Sequence, residues 1–163
     1  MGRQSKQRQI DLAYIAGFLD GDGSIMFQIK RRTDAPKKKR LMFTICLYQD
    51  TRHERPLFWI KRVFNIGYIS RRNDGMTELR INGYERVQEI LRSLYPYLKF
   101  KREQTRHLFR ALALLNRKKV RDLTSREKLQ IVNALVSARK ETYQSGKKTS
   151  KKLKSDLKAI MEL

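Results

Sequence analysis

Two runs of strict alternation restrict what this chain can fold into more than any other feature. Over residues 24–31, Ile25, Phe27 and Ile29 fall on one side and Met26, Gln28 and Lys30 on the other. Leu41, Phe43, Ile45 and Leu47 repeat the pattern, with Arg40, Met42, Thr44, Cys46 and Tyr48 opposite. A period of two makes each run a strand with one dry face and one polar face. The basic stretch TDAPKKKR, residues 33–40, joins them into a hairpin with a long connection. A second hairpin is predicted over 67–82, turning at Asn73-Asp74-Gly75, with Ile69, Leu79 and Ile81 inward.

Helical spacing fills the gaps. Residues 11–20, DLAYIAGFLD, read as a short apolar helix with Asp11 as N-cap and Gly21 and Gly23 at its end. Pro56 opens a helix whose apolar side is Leu57, Phe58, Ile60, Val63 and Phe64. Tyr84, Val87, Ile90, Leu91 and Leu94 mark another, ended by Pro96, and residues 101–116 a further one. Thr124 with Glu127 forms a capping box for a helix running to about Arg139. The order is α-β-β-α-β-β-α followed by helices: an α+β fold whose antiparallel sheet carries helices on one face. The 163 residues suit one domain, taken as 10–143. A basic N-terminal arm, 1–9, and a loosely ordered basic tail, 144–163, ending in a short helix, are expected to flank it.

Charge narrows the partners. With 38 Lys and Arg against 16 Asp and Glu the chain carries +22, which a polyanion would relieve. Neither end carries a strongly amphipathic basic segment, so nucleic acid is preferred to an anionic membrane surface. At 40% hydrophobic the chain has matter for a core, which excludes wholesale disorder. No apolar run approaches the ~18 residues of a membrane span, and Met1 to Gln9 has no apolar stretch behind it that would make a secretory signal. The single Cys46 excludes an internal disulfide or a cysteine-cluster zinc site. The polar sheet face carries Gln28, Lys30, Arg32, Arg40, Arg72 and Arg80, with Glu78 as its acidic exception. Such a face suits entry into a major groove, Arg to guanine and Gln to adenine; the plainer reading is a set of solvated outer positions.

The first helix is unusual. Ala13, Gly17 and Gly21 recur every four residues, a stripe of small side chains that lets a second helix approach closely. Glycine inside a helix costs up to about 1 kcal/mol against alanine, so a compensating contact is expected. The helix ends in Asp20-Gly21-Asp22-Gly23. Two copies packed on the stripe would set two Asp22 carboxylates side by side, which calls for a cation between them. Hard oxygen donors without a Cys or His cluster favour Mg²⁺ over Zn²⁺. A Gly-Asp-Gly helix end with no chemistry is the alternative, and these residues alone leave both open.

IAGFLDGDGS, residues 15–24, resembles the LAGLIDADG motif of homing endonucleases, the DNA-cutting enzymes encoded in introns and inteins. The likeness continues through the following hairpin and LYPYLKFKREQ, residues 94–104, and holds in order and register over roughly residues 10–115. The chain is similar to the single-motif subgroup, typified by intron-encoded endonucleases of algal chloroplast ribosomal RNA genes. That resemblance implies an αββαββα fold, a homodimeric saddle, and an active site where two motif helices meet. Asp22 would be the metal-binding acid, with the Gly21 carbonyl beside it. Gln49 would orient a solvent molecule, and Lys101 would lie near the attacked phosphate. Arg55 is taken as a further basic residue, with Arg52 and His53 as rivals, because the segment DTRHER departs from the family's pattern.

Ala13, Ala16, Gly17 and Asp20 would face the dimer partner, Asp20 supporting the helix rather than the metal. DNA would be met by Met26, Gln28, Lys30, Arg32, Arg40, Met42, Thr44, Cys46, Ser70, Arg72, Glu78 and Arg80, with Lys37, Lys38 and Lys39 on phosphates. The expected activity is a double-strand break in a long pseudo-palindromic target, serving intron mobility, with Mg²⁺ or Mn²⁺ for cleavage and Ca²⁺ for binding alone. The alternatives are a maturase that binds its own intron RNA and a plain basic RNA-binding protein. An intracellular location is expected: a chloroplast or mitochondrion if organelle-encoded, otherwise archaeal or bacterial cytoplasm, with no membrane partner.

Overall fold

In the computed structural model, which describes residues 2–31, 39–142 and 147–162, the first helix is longer than its apolar core suggests. α1 runs Gly2–Asp22 without a break. The stretch expected to be a basic arm is helical because Arg, Gln and Lys are good helix formers and nothing there interrupts them. Asp11 is therefore inside the helix rather than its N-cap, and it accepts a bond from Gln7 Nε2 at 2.9 Å, one turn back. The helix passes directly into β1, Gly23–Arg31. A side chain at Gly23 would meet the Leu19 Cα at 2.8 Å and its carbonyl oxygen at 2.9 Å, so only glycine fits this switch.

β2 spans Lys39–Asp50, followed by a single 3₁₀ turn at Thr51–His53. α2, Arg55–Phe64, has Pro56 in its first turn, where a missing N–H costs nothing. β3, Tyr68–Arg71, and β4, Met76–Asn82, close the second hairpin. Gly75 takes φ +79° in the turn, the left-handed geometry that Asn-Asp-Gly supplies. The four strands form one antiparallel sheet, as expected, and its order is β1-β2-β4-β3. Ile45 pairs with Ile81 and Leu47 with Leu79, which keeps the dry faces of both hairpins in phase.

The helices that follow are α3, Tyr84–Leu94, α4, Arg102–Arg117, α5, Ser125–Lys140, and α6, Lys147–Met161. The Thr124–Glu127 capping box is present. The tail is not loose: α6 packs on α5 and buries Leu157 and Met161 completely. Its apolar residues are four apart, so one side of an otherwise cationic segment is dry.

The chain divides into two compact units, residues 1–27 with 43–100 and residues 28–42 with 101–163. In the first, Ile15, Leu19, Phe43, Leu57, Leu79 and Leu91 have no accessible surface, and α2 and α3 pack on β4. Phe43 is closed over by the Tyr84 ring, edge-on at 5.4 Å between centroids. In the second, α4 lies against α5, burying Leu108, Leu112, Ile131 and Leu135.

Candidate functional site

The two sides of α1 divide by one residue of register. Ile15, Ala16, Leu19 and Asp20 turn inward; Ala13, Gly17 and Gly21 lie open, and so do Ile10 and Tyr14. At 100° per residue, positions 15, 16, 19 and 20 share one stripe, and positions 10, 13, 14, 17 and 21 share the other. A side chain added at Gly17 or Gly21 would meet nothing within 4 Å. The small-residue stripe is thus unfilled within the chain.

Two residues expected at the dimer face belong instead to the chain's own interior. Ala16 has no accessible surface. Asp20 is 9% exposed, and its Oδ2 accepts backbone N–H bonds from Lys99 at 2.6 Å and Phe100 at 3.2 Å. Ionised acceptors make stronger bonds than neutral ones, so Asp20 pins the Pro96–Phe100 segment to the motif helix. Lys101 follows directly in the chain, at the start of α4, where its carbonyl accepts from Thr105 N.

Asp22, the last residue of α1, is exposed, as is Gly21. Gln49 lies on β2 opposite Thr77, and its Oε1 accepts from Asp50 N at 2.8 Å. That bond occupies the amide oxygen and leaves the NH₂ group as a donor. Asp50 then clamps Arg52: Oδ1 accepts from its backbone N at 2.8 Å and its Nε at 3.0 Å, and Oδ2 from NH2 at 2.7 Å. The Arg52 side-chain bonds hold the Asp50 carboxyl far below the usual range. Arg52 is therefore paired with its neighbour, yet its side chain is 81% exposed, so the pairing leaves it a rival to Arg55. Arg55 lines a groove with Ile10, Asp11, Tyr14 and Trp59. Tyr14 is about 12 Å along α1 from Asp22 by helical rise, so one copy alone leaves Arg55 apart from that carboxylate.

The polar sheet face is not uniformly cationic. Glu78 is buried, and it accepts from Arg80 Nε at 2.5 Å and from Arg72 NH1 at 2.8 Å, while Arg72 NH2 reaches Asp74 at 2.7 Å. The Arg80 bond, with Arg72 adding to it, keeps Glu78 below the usual carboxylate range despite burial. Two cations and two anions therefore cancel at this end. The guanidinium groups are held in place, which favours geometry over net charge. Thr44 and Cys46, expected to touch DNA, have no accessible surface: Thr44 donates to Asn82 Oδ1 at 2.6 Å, and the Cys46 thiol is pushed up by burial. Beside it Tyr48 is pushed up to about 12, by burial and by its bond to Cys46. Thr44 is engaged by Asn82 and Cys46 by Tyr48, cross-strand and same-face neighbours that alternation alone does not reveal.

In the second unit Gln28 and Met42 are half-buried and Lys30 and Arg40 exposed; Ser70 and Met26 are half-buried in the first. Arg32, Lys37 and Lys38 lie outside the described residues, and Lys39 is described by its backbone alone. One cluster was missed: Glu54 accepts from Arg71 Nε at 2.9 Å and Thr77 Oγ1 at 2.8 Å, tying the start of α2 to β3 and β4. Its members are 17 and 23 residues apart in sequence, so no local pattern announces them.

A LAGLIDADG motif closing an exposed helix stripe, before an antiparallel sheet with fixed arginines, defines a class. Residues 15–112 match the family described as LAGLIDADG endonuclease, and the chain belongs to that family. It is 36% identical over 98 residues to DNA endonuclease I-CvuI of Chlorella vulgaris, covering 60% of this chain and 61% of that one. Over 93 residues it is 32% identical to DNA endonuclease I-CreI of Chlamydomonas reinhardtii, covering 57% and 56%. These matches span less than two thirds of either relative. The fold match is broader: I-CvuI bound to the I-CreI target in the presence of Mg superposes with TM-score 0.72 at 26% identity, covering 93% of this chain and 96% of that one. I-CvuI with its own target and Ca gives 0.72 at 27% identity, covering 93% and 97%. Among the described residues no helix is long and apolar enough to cross a membrane.

Proposed function

We propose that this chain is a site-specific DNA endonuclease that acts as a homodimer and makes a double-strand break in a long pseudo-palindromic target, promoting intron mobility. One observation carries the reading: the bare stripe Ile10-Ala13-Tyr14-Gly17-Gly21 on α1 leads to the exposed carboxylate of Asp22. A second copy docked on that stripe brings two such carboxylates to one place.

The donor set suits Mg²⁺ only in that assembly. Among the described residues no three His, Cys, Asp or Glu side chains gather to hold a metal. One chain offers hard oxygens from Asp22 and the Gly21 carbonyl, while Mg²⁺ keeps several waters and takes few protein ligands beside phosphate oxygens. Asp22 and Gly21 of each copy would hold the ion. When bound, it would lower the pKa of an attacking water and neutralise negative charge on the phosphate oxygens. Mn²⁺ has similar demands and should substitute, while Ca²⁺ should support binding without cleavage.

Gln49, anchored through its Oε1, offers its NH₂ to orient solvent. Lys101 and Arg55 stabilise negative charge on the scissile phosphate, with Arg52 and His53 the rivals to Arg55. The outward positions of β1 to β4 meet base edges, and the lysines of the β1–β2 connection meet phosphates. The enzyme works where its target DNA lies, an organelle if it is organelle-encoded. Asp22, Gln49 and Lys101 together weigh for cleavage over a purely RNA-binding maturase.

The test is cleavage of a plasmid carrying the uninterrupted sequence that flanks the gene's insertion site. Linear product in Mg²⁺, with a shifted but uncut duplex in Ca²⁺, is the expected result. Binding of intron RNA without cleavage of that plasmid would overturn the proposal.

A further inference from the structure

Glu78 stands on β4, an interior strand of the sheet, with Tyr48 of β2 opposite it on one side and Ser70 of β3 on the other. Arg80 is two residues further along the strand and so shares its face. The Glu78 side chain is 3% exposed, whereas that of Arg80 is 27% exposed. We propose that Glu78 is a positioning residue for base recognition: it touches no DNA itself and aims the open end of Arg80 at a guanine, once in each half of the target. The inference rests on the homodimeric DNA-cutting reading above and adds to it which base is read and what fixes the reader.

The bonds sort the donors of the two arginines. Arg80 gives its Nε–H to Glu78 Oε2 at 2.5 Å, and among the described residues no bond occupies its NH1 or NH2. Those two nitrogens form an end-on pair that matches the N7 and O6 acceptors of guanine in the major groove. Arg72 instead commits NH1 to Glu78 Oε1 at 2.8 Å and NH2 to Asp74 at 2.7 Å. Its part is to hold the other oxygen of the carboxylate, which keeps Glu78 from turning away. Stability gives no reason for such a group, since replacing a buried ion pair by well-packed apolar residues is often neutral. A face meant only to attract a duplex would do better without the carboxylate, because phosphate binding follows positive charge. What Glu78 supplies is direction. An arginine fixed before the duplex arrives loses less freedom on binding, and a fork held at one angle rejects a base whose acceptors lie elsewhere.

The test selects bound duplexes from a randomised library in Ca²⁺, using the full chain and its variants, and reads base preference by position. Wild type should favour guanine at one position in each half-site by roughly 5- to 150-fold, the range of a bidentate pair. Arg80→Ala should abolish that preference. Glu78→Gln should lower it at least about threefold while affinity for arbitrary duplex rises, because a negative charge is gone. On the Arg80→Ala background Glu78→Gln should change nothing further at that position. Should Glu78→Gln not fold, Glu78→Asp keeps the charge but shortens the reach, and it carries the same expectation of weakened guanine preference. A guanine preference unmoved by the Glu78 variants, equal weakening of binding to every sequence, or no Arg80-dependent guanine in wild type would overturn the proposal. Plasmid cleavage is read separately. Guanine preference without cleavage supports this inference and overturns the nuclease reading; cleavage without an Arg80-dependent guanine does the reverse.

Discussion

The inward and outward sides of α1 come from the same stretch of sequence and do opposite jobs. Inward, Ile15, Ala16 and Leu19 have no accessible surface, and Asp20 holds two backbone N–H groups of a distant segment. Outward, the glycines meet nothing and Ile10 and Tyr14 are more than half exposed. The inward side is finished within one chain, whereas the outward side is left bare within it and, on the proposed function, awaits a second copy. Substitutions inward should therefore cost stability, and substitutions outward should cost activity while leaving the protomer folded.

The largest expected effect is at the end of the outward side. Asp22→Asn should cut plasmid cleavage to below about a thousandth, because the ion proposed at this carboxylate would lose its charged ligand. Thermal unfolding and duplex binding in Ca²⁺ should be unchanged. Full cleavage by the mutant would remove the reason for treating that side as functional.

Next is Gly17→Leu. The new side chain would hold two helices apart and give inactive monomers by sedimentation. The protomer itself should lose nothing and gain up to about 1 kcal/mol from helix propensity in chemical denaturation. A less stable monomer would mean that this side is packed within the chain after all.

Leu19→Ala is the inward counterpart, with an expected loss of about 2–5 kcal/mol from a cavity under a side chain that has no exposure. Asp20→Asn should cost less, about 1–2 kcal/mol, since an amide oxygen can still accept but without charge. Its activity should also fall, because the segment leading to Lys101 loses its anchor. Denaturation midpoints and cleavage rates from the same preparations test both.

The smallest effect is acid sensitivity. Glu54 is lowered to about 2, chiefly by its bond from Arg71, and Glu127 to about 2, chiefly by Lys118. Both lie below the ordinary 4.5, so their stabilisation is complete above pH 4.5 and is lost as pH falls toward 2. Both carboxylates are half-buried but their Arg71 and Lys118 partners reach solvent, so the slope should be shallow and should weaken with salt. Gly17→Leu should leave that slope unmoved; a changed slope would couple the outward side to the interior.

Element order was legible because each element carries its own period. The two alternating runs, the Asn-Asp-Gly turn, and the Thr124–Glu127 box are local instructions, read within a few residues of where they act. The motif helix was legible as well, since its small residues recur every four positions. The helical character of residues 2–9 was not, because good helix formers without an apolar stripe look the same in a solvated arm.

What one chain's residues do to each other across space was decided only by the tertiary structure. Asp20 and Ala16 look like neighbours of the glycine stripe, yet a 100° turn per residue carries them to the buried side, where the partner is Lys99, 79 positions away. Alternation places Thr44, Cys46 and Glu78 on the polar face, yet all three are buried, Glu78 beneath its bonds from Arg72 and Arg80. Arg52 reads as a free cation until Asp50 is seen to clamp it. Sequence determines which side of an element a residue takes, because that follows from backbone period. Whether that side is open depends on what other elements bring against it, and only packing decides that.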